Sequence, residues 1–221
     1  MEPSQTFVSS LQQHWTGGGF WMYPIALALV FAVAITIDRV IALFWKYRTD
    51  KDAFVAQMSK HILAGDLHGA VKFVGSQPPT PLANIVKAGL LRISASDQVV
   101  QSAIDEASLR EMPKIEKRTG YLAMIGNVGM LLGLLGTING LIACFAAVSK
   151  PGVDPAIKSM ILANGIAEAM NCTAFGLITA IPALVAFAFL NGRTQQMVDE
   201  INETAVSVLN LIVNNRDKMK A

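Results

Sequence analysis

Residues 126–140 read GNVGMLLGLLGTING, five glycines spaced three and four apart inside a run, Tyr121 to Val148, that carries no charged side chain. A phosphate-cradling loop would need a glycine followed by Lys and then Ser or Thr, whereas Gly136 is followed by Thr137 and Ile138. Gly126, Gly129, Gly133, Gly136 and Gly140 instead draw one narrow stripe without side chains along a helix. In hydrocarbon the backbone must satisfy its own hydrogen bonds, so a long apolar run stays helical despite its glycines. The stripe therefore predicts a packing seam on a membrane helix, where a second helix approaches closely.

The whole chain agrees with a membrane setting. Its 221 residues are 52% hydrophobic and only 15% charged, and the mean hydropathy is +0.44, too apolar for an ordinary soluble domain. A net charge of +2, with basic residues scattered and not interleaved with aromatics, gives no support to nucleic-acid binding. His14, His61 and His68 lack partners at metal-ligand spacing, so no metal site is expected. Cys144 and Cys172 fall at different depths of apolar runs and are read as buried thiols without a bridge. No nucleophile–base pair or nucleotide motif is visible, so an enzyme is not expected, and no cofactor is implied. Only Glu2 precedes the first apolar run, without a basic leader or a cleavage site, which reads as an anchor that stays.

Three runs are long enough to cross a hydrocarbon core of about 30 Å. The expected fold class is an all-α membrane protein with three transmembrane helices and a helical cytoplasmic domain. The expected divisions are an outer N-terminal segment 1–19, a first span 20–45, a cytoplasmic helical segment 46–118 and a second span 119–148. A connector 149–158, a third span 159–192 and a cytoplasmic C-terminal helix 193–221 complete the chain. Trp15, Trp21 and Tyr23 at one end of the first span, and Trp45 and Tyr47 at the other, suit membrane interfaces. Residues 1–19 hold no Lys or Arg, the connector holds Lys150 and Lys158, and 46–118 holds eleven. With Arg193, Arg216, Lys218 and Lys220 in the tail, the positive-inside rule places the N-terminus outside and the C-terminus in the cytoplasm.

Within 46–118, turn residues divide helices expected at Asp52–Ala64, Asp66–Val74 and Leu82 to about Met112, the last continuing through EMPKIEKR into the second span with a kink at Pro113. In the tail, Met197, Ile201, Val208, Leu211 and Ile212 recur at near-helical spacing, the pattern of an amphipathic helix.

Counted from the connector, Thr137 falls at the level of Asn171, bracketed by Glu168 and Thr173, which predicts a polar layer well inside the bilayer. Glu168 is the most informative residue, because an acid near the membrane centre costs about 2.5 to 3.5 kcal/mol on insertion scales. An apolar setting favours the neutral carboxyl, which suits a group that takes up and releases protons; the alternative is an acid that only fixes helix packing. Asn164, Glu168, Asn171, Cys172 and Thr179 share a broad helix face, a candidate lined path, whereas Thr173 points roughly 140° from Glu168. The two threonines either face a neighbouring helix or are joined to the acid by a neighbouring subunit, or each bonds back to its own helix. Asp38 and Arg39, near the inner end of the first span, are placed as an interfacial anchor, with a specific interhelical pair as the alternative.

These residues resemble the MotA/TolQ/ExbB proton-channel family, and within it the TolQ/ExbB branch. The resemblance rests on LLGLLGTINGLIACF at 131–145, on GIAEAMNCTAFGLITAIPALVAF at 165–187, and on IDR at 37–39, where the family usually has Glu-Arg. HILAGDLHGAVKFVGSQPPTPLANIVKAGL at 61–90 is similar to the family's cytoplasmic helical segment. The resemblance implies a multi-pass protein of the bacterial inner membrane, a homopentamer around a pair of single-span partner helices of the TolR/ExbD type. Such a complex converts proton-motive force into work on the cell envelope, with protons as the coupling ion. Glu168, Thr137 and Thr173 match the family's proton path, and the glycine seam would let neighbouring helices of the ring touch. Ala163-Asn164 stands where the family usually has Ala-Pro, and Asn171 and Cys172 replace apolar or small residues. A passive membrane scaffold and a small-solute transporter subunit are the alternatives, distinguished by whether Glu168 is replaceable and by whether the chain alone takes up solute.

Overall fold

The computed structural model describes residues 19–46, 51–152 and 154–215. Trp15, Tyr47, Arg216, Lys218, Lys220, and the N-terminal segment as far as residue 18 lie outside the described residues. Among the described residues every regular element is helical: α1 Met22–Ile41, continued by a π-helical turn Ala42–Lys46, then α2 Lys51–Leu63, α3 Leu67–Ser76, α4 Pro81–Leu90, α5 Asp97–Glu116, α6 Thr119–Val148 and α7 Pro155–Asn214. Three stretches, Met22–Trp45, Asp97–Val148 and Pro155–Asn214, are long and apolar enough to cross a membrane. The chain is an all-α, multi-pass membrane protein.

Two compact units form. The first contains the described residues to Ile37 together with Arg118–Ala188, and the second contains Asp38–Lys117 and the residues from Phe189 onward. In the first unit, α1 packs on the α6/α7 hairpin through a cluster of Met22, Ile25, Cys172 and Phe175, with Trp21, Ala26 and Leu132 against it. In the second, buried Phe54, Met58, Ile62, Ile85, Val86, Leu90, Val100 and Ile104 make a core of α2 to α5. Met197, Ile201, Val208 and Ile212 are buried there too, as the tail's near-helical spacing leads one to expect, while Leu211 is half-buried.

Side-chain caps open three of the helices. Asp66 accepts from the Gly69 N–H at 2.8 Å to open α3, and Thr80, followed by Pro81, accepts from the Ala83 N–H at 3.4 Å to open α4. α7 starts earlier than the expected residue 159: Asp154 accepts from the Ala156 N–H at 2.8 Å and Pro155 takes the first helical position. Asn164 is therefore interior to α7, and the start signal sits nine residues upstream of it.

Two further differences have local causes. The helix expected from Leu82 to about Met112 breaks at Leu91–Ser96, where short-range bonds such as Arg92 N–H to Gly89 O at 3.1 Å tighten the chain and Ser96 begins α5. That break folds α5 back onto α4, so that a Cβ at Gly89 would lie 2.7 Å from Ile104 Cδ1. The expected run from α5 into the second span also stops, at Lys117 and Arg118, and Arg118 takes the left-handed conformation with φ of 69°. Pro113 itself is accommodated within α5.

Candidate functional site

The glycine stripe of α6 lies against α7 of the same chain. A Cβ added at Gly133 would sit 3.0 Å from Cys172 O and 3.1 Å from Gly176 Cα, and one added at Gly176 would sit 3.0 Å from Gly129 O. Backbone meets backbone there. Along the stripe Gly126 faces Leu184, Gly129 faces Thr179, Gly136 faces Cys172 and Trp21, and Gly140 faces Ala169. The buried residues of α6 are Thr119, Leu122, Gly126, Gly129, Gly133, Gly136 and Cys144, so between Gly126 and Gly136 this helix buries bare backbone.

That closeness sets the polar layer. Thr137 Oγ1 lies 3.1 Å from Gly133 O on its own helix and 3.1 Å from Ala169 O on α7, and it is hydrogen-bonded to Thr173 Oγ1. Thr137 has one hydroxyl proton for two carbonyls and a second hydroxyl, so the pair can exchange donor and acceptor roles. Two interchangeable donors of this kind can hand a proton along a hydrogen-bonded row. Both threonines are half-buried, and one chain is enough to bring them together.

Glu168 is placed differently. It precedes Ala169, whose carbonyl Thr137 reaches, yet its own side chain is exposed on the single chain. None of the ion pairs among the described residues includes it. Its carboxyl packs against Gly19, just before α1, where an added Cβ would overlap Glu168 Oε1. Measured along α7, the acid is about 20 Å from Pro155 at 1.5 Å per residue; measured along α1, it is level with the opening turn. A mid-depth position counted from the connector thus corresponds to the N-terminal end of α1.

The broad face expected to line a path is not uniform. Asn164 and Glu168 are exposed, Asn171 is half-buried, and Cys172 and Thr179 are buried inside the chain's own packing. Cys144 and Cys172 are both buried, and no disulfide joins them. Thr179 lines a mostly apolar cleft of about 310 Å³ between α1 and α7 with Leu29, Ala32, Thr36 and Pro182, and its hydroxyl has no hydrogen-bond partner among the described residues.

Asp38 is exposed, but Arg39, expected to reach headgroups, is only 4% exposed. Its Nη1 donates to Ile115 O at 3.0 Å, a carbonyl of the last turn of α5 that lacks a helical partner. The residues that sequence reasoning missed are Gly19 and Ala169. The run Gly17-Gly18-Gly19 just before an apolar helix was the available signal for the first; Ala169 acts through its carbonyl and leaves none.

Residues 77–203 match the MotA/TolQ/ExbB proton channel family. A putative biopolymer transport protein ExbB-like 3 of Synechocystis sp. is 30% identical over 169 residues, 76% of this chain and 79% of its own. The Tol-Pal system protein TolQ of Pseudomonas aeruginosa is 28% identical over 190 residues, 79% of this chain and 81% of its own. The biopolymer transport protein ExbB of Xanthomonas campestris is 28% identical over 168 residues, covering 76% of this chain and 65% of the relative. The match includes both hairpin helices, the threonine pair and Glu168, and with relatives named on both the ExbB and the TolQ side, the chain belongs to the TolQ/ExbB-like branch of the MotA/TolQ/ExbB proton channel family.

Proposed function

We propose that this chain is the proton-conducting, stator-like subunit of an inner-membrane motor, coupling proton-motive force to mechanical work on the cell envelope in a TonB-, Tol-Pal- or gliding-type system. The observation that carries this reading is an exposed carboxyl, in no ion pair among the described residues, one residue away from the Ala169 carbonyl that anchors a threonine pair. An acid displayed on an apolar membrane helix is costly unless something outside the chain covers it. A ring of copies, five in the reading that the family resemblance suggests, around a TolR/ExbD-like pair of single-span helices supplies that cover. The acid then faces a lumen and not lipid.

In this arrangement protons are the coupling ion, Glu168 takes up a proton, and Thr137 and Thr173 pass or orient it toward the partner helix. Asn164, Asn171 and Thr179 are candidate lining groups on the same helix. The N-terminus lies outside and the C-terminus in the cytoplasm, which the distribution of Lys and Arg supports. Each charge that crosses releases about 2.3 kcal/mol per 100 mV, so work on the envelope requires repeated passages.

The test is Glu168→Gln in the complex purified with its native partners. The variant assembles as the native chain does, and proton-driven envelope function is lost. Full activity of Glu168→Gln refutes the reading.

A further inference from the structure

We infer that Gly19 is the positioning residue for Glu168, its bare Cα forming the seat on which the carboxyl rests. The inference rests on the reading of Glu168 as the proton-exchanging acid. Gly19 takes the left-handed conformation with φ of +62°, and a Cβ built on it would overlap Glu168 Oε1 and lie 3.1 Å from Glu168 Cδ. The turn that carries Gly19 cannot retreat. Two residues on, Trp21 is held at the glycine seam, where its Cβ would be 3.0 Å from a Cβ added at Gly136. Met22 and Ile25, 1% and 0% exposed, are packed against Cys172 and Phe175. With α1 pinned on one side and α7 on the other, a methyl group at residue 19 moves the only flexible part of the contact, the Glu168 side chain. Residue 19 thereby decides where the acid presents itself at the outer end of α1.

Gly152 provides the control. It has an even more positive φ of +83°, yet nothing lies within 4 Å of an added Cβ. Gly152→Ala therefore carries the backbone strain alone, while Gly19→Ala carries strain and the displaced acid. The experiment measures the rate at which a hydrophobic carbodiimide modifies Glu168 across a pH series, by mass spectrometry on the full-length assembly in its native membrane. Glu168→Gln sets the background. Gly19→Ala changes the rate about three- to tenfold, the scale of holding a side chain off its preferred rotamer, and moves the pH midpoint of the reaction; Gly152→Ala does neither. In a Glu168→Asp background, where the acid is one methylene shorter, the effect of Gly19→Ala shrinks. If Gly19→Ala does not assemble, adding Glu168→Ala removes the overlapping atoms and restores assembly. The proposal is overturned if Gly19→Ala and Gly152→Ala label alike, or if the pair with Glu168→Ala fails to assemble while Gly152→Ala assembles. An inactive Glu168→Gln combined with like labelling sinks the positioning role and leaves the proton reading standing, whereas a fully active Glu168→Gln sinks the proton reading itself.

Discussion

Replacing Gly133 by alanine tests whether the α6/α7 hairpin is held by backbone contact. The new Cβ would lie 3.0 Å from Cys172 O and 3.1 Å from Gly176 Cα, where ordinary contact begins near 3.4 Å. Both obstacles are main-chain atoms, so no rotamer change relieves the overlap and the helices must part by about 0.3 to 0.4 Å at that level. Overpacking of this type costs about 1 to 3 kcal/mol. Alanine recovers about 1 kcal/mol through its better helix propensity, which leaves a net loss of up to about 2 kcal/mol. Gly192→Ala is the control, because nothing lies within 4 Å of its added Cβ, so it shows the propensity gain alone. The assay is thermal or graded-detergent unfolding of the purified full-length assembly. Gly133→Ala unfolds earlier than the native protein and Gly192→Ala no earlier. Gly176→Ala behaves as Gly133→Ala does, and because the two methyls would meet, the double variant departs from additivity by more than about 0.5 kcal/mol. A Gly133→Ala protein as stable as Gly192→Ala refutes the seam.

Thr137→Val keeps the shape and removes the hydroxyl that joins Thr173 Oγ1, Ala169 O and Gly133 O. Stability falls by about 1 kcal/mol, proton-driven envelope function is lost, and Thr137→Ser retains it; growth under conditions that need the complex separates the two. Arg39→Ala strips the donor from Ile115 O at the end of α5, and since bonds to charged groups are worth about 1.5 to 3 kcal/mol, the loss is visible as faster hydrogen exchange at the last turn of α5. Gly89→Ala drives a methyl to 2.7 Å from Ile104 Cδ1. It destabilises the α4/α5 pair by about 1 to 3 kcal/mol, and the added change Ile104→Val, which deletes Cδ1 but leaves Cγ1 at 2.8 Å, recovers only part of that in thermal unfolding.

What the sequence made legible follows from how local each signal is. Hydropathy over about 20 residues outlines the spans because hydrocarbon imposes one rule on every residue in it. The rhythm of Gly126 to Gly140 likewise marks a seam, since helical periodicity alone puts those residues on one stripe. Which helix fills the stripe is a tertiary fact, and the sequence left α7 of the same chain and a neighbouring subunit equally open. The break at Leu91–Ser96 was missed because it contains neither Gly nor Pro. Ser96-Asp97 is a modest start signal, and the packing of Gly89 on Ile104 is what makes a turn there favourable. Arg39 was misread for a related reason: its position beside Asp38 suits headgroups, and the free carbonyl at Ile115 that draws it inward is 76 residues away. The threonine pair was a matter of depth, which counting could supply, and of azimuth, which it could not. Glu168 and Thr173 do point apart, and it is the Ala169 carbonyl between them that ties the acid's neighbourhood to Thr137.

The way the glycines are used has a consequence for assembly. Because Gly126, Gly129, Gly133 and Gly136 are buried against α7 of their own chain, they are not free to meet another subunit. The rest of α6 shows Leu131, Leu134, Leu135, Ile138 and Ile142 on its exposed surface. In the ring proposed above, the walls would then be two helices thick, made thin by the glycines inside each hairpin, and copy would meet copy through large apolar side chains. Close packing within the hairpin and bulky packing between hairpins serve different ends. The first fixes Thr137 against Thr173 to hydrogen-bonding distance and makes the threonine pair a property of the folded chain. The second leaves Glu168 outside that rigid pair, exposed on the single chain with its carboxyl against Gly19. In the complex proposed above, the threonine pair is thus supplied by the fold of each chain and the cover over Glu168 by assembly, which separates the two halves of the proposed path until the partners meet.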